Sequence, residues 1–126
     1  MKRPPADFAP SVALFPEHLN PLKELFVRLP LLNMSADGVL DLASSSPLLL
    51  LEVAEHAEDT VQALNLGLAA IGNLWALASV SIDEGTVPMG CVESLGWTIQ
   101  ILSDLCASLM ILSVRCRQAS ERPARR

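Results

Sequence analysis

Between Leu29 and Val114 the chain has no lysine or arginine, yet these 86 residues carry ten carboxylates: Asp37, Asp41, Glu52, Glu55, Glu58, Asp59, Asp83, Glu84, Glu93 and Asp104. All nine basic residues lie in the first 28 positions or the last 12. Such a stretch cannot pair its acids with cations one turn along its own helices, so the acids are expected to face water or a cationic partner. Tyrosine is absent and aromatics make up only 4%. That scarcity, with a net charge of -5, argues against an RNA-stacking surface and against a phosphate backbone as ligand. Cysteine is sparse: Cys91, Cys106 and Cys116 are an odd number at spacings that fit no zinc or disulfide framework. They suit a reducing compartment, with Cys106 as a small core hydrophobe. Met1-Lys2-Arg3 runs into Pro4 and Pro5 without an apolar stretch, so no secretory signal is expected, and a cytoplasmic location is.

What the chain does have is apolar surface to bury. Of 126 residues, 51% are hydrophobic and 18% charged, with positive mean hydropathy. One domain is expected, with heavy burial, self-association or a membrane to satisfy it. Six of the nine prolines fall in the first 30 residues, so regular structure there must be short. One brief helix is predicted near 21–29, with Asn20 as N-cap, Pro21 at the first helical position, and Leu22, Leu25, Phe26 and Leu29 on one face. It serves either as a docking helix or as an arm over its own core. Ala36 to Ala43 carries Val39, Leu40 and Leu42 and is predicted to form two helical turns. Ser46 as N-cap and Pro47 at the first helical position then begin a longer helix.

The most regular pattern follows. Leu50, Ala54, Ala57, Val61, Leu64, Leu68, Ile71, Trp75, Ala78 and Ile82 recur at alternating spacings of four and three. That seam specifies a long helix packed against another at a shallow angle, with Trp75 in the core. Asp83 to Gly90 is a turn by composition. A second seam runs through Val92, Leu95, Ile99, Leu102, Cys106 and Leu109, and its helix is expected to end near Cys116, with a frayed basic tail from Gln118.

The predicted fold is therefore all-α. It is a long antiparallel helical hairpin, about 47–82 and 91–117, with short N-terminal helices, completing a helical bundle either alone or as a dimer. In domain terms, 1–35 is a proline-rich arm, 36–117 the hairpin domain and 118–126 a basic tail. Leu49, Val53, Leu66, Leu74 and Leu77 lie off the seam, so the hairpin alone leaves apolar faces uncovered. Either the N-terminal segments pack over it or two chains form a four-helix bundle.

No arrangement for catalysis stands out. Glu52, Glu55, His56 and Asp59 sit within two turns, but the spacing is not that of di-iron bundles and has no second copy. There is no phosphate loop, nucleophile elbow or HExxH. No catalytic residue, cofactor or metal is expected. The candidates for partner contact are the acidic group Glu52, Glu55, Glu58 and Asp59, the lone acid Asp104, the off-seam Trp97 as an anchor, and Leu22, Leu25 and Phe26 of the short helix. For Asp104 the plainer reading is a water-facing position beside Gln100 and Glu93, because an unpaired buried carboxylate is costly.

Leu25-Phe26-Val27-Arg28, the helix from Pro47, and Trp97-Thr98-Ile99-Gln100-Ile101-Leu102 together resemble a family of short bacterial helical-hairpin proteins of unknown function. That family typically carries LF-x-V-R-P and then two helices, the second with W-x-I-x-x-L. Here Val27 follows Phe26 directly and Leu29 separates Arg28 from Pro30. The resemblance covers about half the chain and implies a helical hairpin but no activity.

Three functions fit the residues. The first is a small acidic, non-enzymatic interaction module with a protein partner, expected as a homodimer and without nucleic acid. The second is a membrane hairpin: Thr60 to Ile82 is 23 residues without a charge. Against it stand Gln62, Asn65, Asn73, Ser79 and Ser81 in the first span and Asp104 at the centre of the second. The third is a small inhibitor of the phage anti-defence or immunity type, whose carboxylates occupy a cationic site.

Overall fold

In the computed structural model, residues 20–122 are described, and they form three α-helices. These are α1 (Pro21–Arg28), α2 (Pro47–Asp83) and α3 (Met89–Glu121), with a single 3-10 turn at Leu29–Leu31. α2 and α3 pack along each other as an antiparallel hairpin, and α1 packs on α2. The all-α hairpin read from the two seams is what the chain adopts. The remainder of the proline-rich arm and the last four residues lie outside the described residues.

α1 starts where its cap specifies: the Asn20 side chain accepts a hydrogen bond from the Lys23 N–H at 3.1 Å, and Pro21 has no N–H to satisfy. α2 starts at Pro47 after Ser46, but the Ser46 side chain makes no capping bond. Two glycines with positive φ close the turns. Gly38 (φ 75°) sits in the loop before α2, and Gly85 (φ 73°) ends α2, with its N–H on the Ile82 carbonyl.

Three expectations are corrected. Ala36 to Ala43 is not helical: Met34 and Leu40 form an isolated antiparallel bridge, and the Ser35 N–H bonds the Val39 carbonyl around Gly38. Gly38 in the left-handed region suits this tight reversal and would have weakened a helix. α3 does not fray at Gln118 but runs on to Glu121, because Cys116 and Ala119 still pack on the core. Trp75, placed in the core by its seam position, is 37% exposed, because no other described element is stacked over that part of the hairpin.

The core lies entirely at the open end of the hairpin, termed the base. Leu25 from α1 is 1% exposed and joins Leu32, Leu42, Leu50, Val53, Ala54, Ala57 and Val61, with Leu109 and Cys116 from α3. Between residues 62 and 104 no residue is buried. There the two seams touch each other and no other described residue covers them, so their residues are only half-buried.

The uncovered front face of the hairpin

Two stripes, one on each long helix, define a face of the hairpin. On α2, Leu49, Val53, His56, Thr60, Ala63, Gly67, Ala70, Leu74, Leu77 and Ser81 repeat at spacings of four and three, beside the seam. On α3, Cys91, Thr98, Leu105, Leu112 and Ala119 flank the seam on the same side, next to the seam residues Leu95, Leu102 and Leu109 and to Cys116. At the base this face is covered. Leu25 and Leu42 join Leu50 and Val53 in one cluster, against which Leu49, Leu105, Leu112 and Ala119 pack. We call this side the front.

Beyond Thr60 the cover stops while the stripes continue. At the tip they bound an open apolar groove of about 300 Å³, lined by Ile71, Leu74, Trp75, Ala78 and Ile82 of α2 and by Val87, Cys91, Val92 and Leu95. Leu74 is exposed, and Leu77 is 82% exposed. From Ala63 to Ser81 and from Cys91 to Leu105 the stripes contain no charge. The opposite side, the back, is mixed, because Gln62, Asn65, Asn73 and Ser79 on α2, with Glu93, Gln100 and Ser103 on α3, stand among exposed Leu66, Val80 and Trp97. The distal front stripes, which carry neither a charge nor a side-chain amide, are the less polar of the two sides.

The base is held by ion pairs that link segments far apart in the chain. Arg28 Nε donates to Glu52 at 3.1 Å and its Nη1 to Glu24 at 2.5 Å. Hydrogen bonding to Arg28 lowers the pKa of Glu24 and raises that of the guanidinium. On the back, Arg117 grips Glu58 with two bonds of 2.7 Å, and the buried Ser113 hydroxyl donates to the same carboxylate. The Arg117 guanidinium first, and Ser113 second, hold the Glu58 carboxyl down at about 2. Thr60, also buried, donates back to the His56 carbonyl at 2.7 Å.

These pairs correct the expectation that the acids face only water or a partner. Glu52 and Glu58 are satisfied within the chain, since the fold brings the arginines that flank the gap alongside α2. Glu55 and Asp59 remain exposed. Leu25 is not a docking residue, because it is a core residue of its own domain, and Leu22 packs half-buried against the same core. Of the α1 candidates only Phe26 is exposed. Asp104 is exposed, the plainer of its two readings. Trp97 is exposed too, but its heptad position turns it away from the front. The front face is not evident from the seams alone; its signal in the sequence is a second set of four-and-three spacings beside the α2 seam, to which the off-seam Leu49, Val53, Leu74 and Leu77 belong.

Among the described residues, no three His, Cys, Asp or Glu side chains stand together as a metal site. A second cavity of about 240 Å³ at the base is lined by Leu42, Arg115, Gln118, Ala119 and Arg122. Compared with family models, with curated proteins and with solved structures, the chain matches none.

Proposed function

We propose that this protein is a non-enzymatic helical interaction module whose docking surface is the distal front face of the hairpin. One observation carries the reading: an apolar face runs along both helices, and the described residues cover only its base half. An apolar surface of this extent, bordered by polar side chains, marks an interaction site on a protein that is otherwise closed. The base supplies its own core, loop and ion pairs, so it acts as a platform that holds the tip in position. The acidic-inhibitor reading loses support, because two of its four clustered carboxylates are already engaged by Arg28 and Arg117.

A bilayer is the second reading, favoured by two long helices whose most apolar windows are 0% and 6% buried. The back weighs against it, since a lipid-embedded hairpin would expose Asn65, Asn73, Gln100 and the unpaired Asp104 to hydrocarbon. A photoactivatable residue placed at Leu77 in living cells tests the choice. It is expected to cross-link to protein, while one at Asn65 on the back is not. Equal protein cross-linking from both positions, or lipid adducts from both, contradicts a one-sided docking face.

A further inference from the structure

Resting on the docking-face reading above, we infer that the occupant of the front face is a second copy of this chain, laid antiparallel so that each tip meets the other's base.

The first ground is the order of residues along the α2 stripe. Ala63, Gly67 and Ala70 lie toward the base, and Leu74 and Leu77 toward the tip. When two such stripes run antiparallel about a point between Ala70 and Leu74, Ala70 faces Leu74 of the second copy and Gly67 faces its Leu77. Small residues then receive large ones along the interface. A parallel stacking of the two front faces instead lays α2 of one copy over α3 of the other and forfeits this match of small with large.

The second ground is the step in the molecule. Arg28 lies beside Glu52, and Glu24 feels the charge of His56, so α1 runs antiparallel to α2 and its first turn points toward the tip. α1 therefore ends the covered half in a shelf, and the open face beyond it is one helix layer deep. A second hairpin fills that recess, and its tip reaches the shelf. Charges there are complementary: Lys23, exposed and without an ion pair among the described residues, stands on the shelf, and Asp83 and Glu84 stand at the tip.

The third ground is area. The open stretch of about 23 residues is about 34 Å long and two helices, roughly 20 Å, across. Antiparallel stacking covers on the order of 700 Å² per copy, or ~1,400 Å² in all, within the range of stable interfaces. The mixed back and Asp104 stay in water. The resulting four-helix arrangement buries both front stripes against each other.

The test uses the full chain in detergent-free buffer. Light scattering at tens of micromolar should give twice the chain mass, and Leu77→Glu, at a position that touches no core residue, should weaken the dimer by about a hundredfold. Lys23→Glu should weaken it by about three- to tenfold, with Glu84→Lys in the same chain restoring it. With the native cysteines replaced, Gly67→Cys and Leu77→Cys chains should form a disulfide when mixed, whereas Leu77→Cys alone should not. A monomeric wild-type protein overturns the second copy as occupant and leaves the docking face to another partner or to the chain's own N-terminal segment. A dimer indifferent to Leu77→Glu, or cross-linked through Leu77→Cys alone, overturns the arrangement. Recovery only from membranes overturns both this inference and the docking-face reading.

Discussion

Arg117 reaches Glu58 through two guanidinium N–H groups, and Ser113 adds a third donor, so this carboxylate is held in its charged form far below its ordinary value of 4.5. A depressed folded-state pKa contributes stability above the unfolded value and loses it as the pH falls through the folded one. Stability should therefore decline between about pH 4.5 and about pH 2, more steeply in the parent than in Glu58→Gln. Both partners are more than a third exposed, which screens the interaction, so Arg117→Ala is expected to lower the urea midpoint only slightly at neutral pH. The cysteines offer an independent check. Cys116 is fully buried, with its thiol pKa raised by that burial, whereas Cys91 is exposed at the tip. In the native protein a maleimide should leave Cys116 untouched until the chain unfolds; early labelling of Cys116 would place α3 in a different register.

The long helices were legible in the sequence because periodicity is a local signal. The seams of four-and-three spacing from Leu50 to Ile82 and from Val92 to Leu109 placed the hairpin within a few residues at each end, and Asn20-Pro21 fixed the start of α1. What local spacing could not give was anything that depends on which segments meet. The Ala36–Ala43 stretch carries apolar residues at helical intervals, yet it folds around Gly38 because Leu32 and Leu42 are drawn into the base core. Trp75 shares the seam with Val61 but not its burial, since no described element overlies the tip. The pairing of Glu52 with Arg28 spans 24 positions and that of Glu58 with Arg117 spans 59, so charge spacing along one helix could not reveal them. Substitutions on each helix follow from these placements. Leu25→Ala should destabilise by about 3 kcal/mol because it empties a core position, whereas Phe26→Ala, exposed on the same helix, should stay within about 0.5 kcal/mol. On the back of α2, a Cβ added at Gly72 meets nothing within 4 Å, so Gly72→Ala should raise stability by about 1 kcal/mol through helix propensity alone. A loss on thermal or urea unfolding would mean that the back of α2 is covered after all.

At the scale of the molecule, the gap in basic residues takes on a second meaning. Cations flank the hairpin domain because that is where they staple the base: Arg28 from one side of the gap and Arg117 from the other both land on the first four turns of α2. Among the described residues the tip receives no such help and has no core of its own, so on the docking-face proposal its order depends on what covers the front face. That proposal gives one fold two kinds of stability, intrinsic at the base and conditional at the tip. Hydrogen exchange followed at high and at low protein concentration measures that difference most directly. The amides of 47–61 and 106–119 should show the same protection at both concentrations, whereas those of 63–81 and 91–104 should lose protection on dilution. Protection at the tip that matches the base and ignores concentration would contradict the division into a self-sufficient base and a tip completed by association.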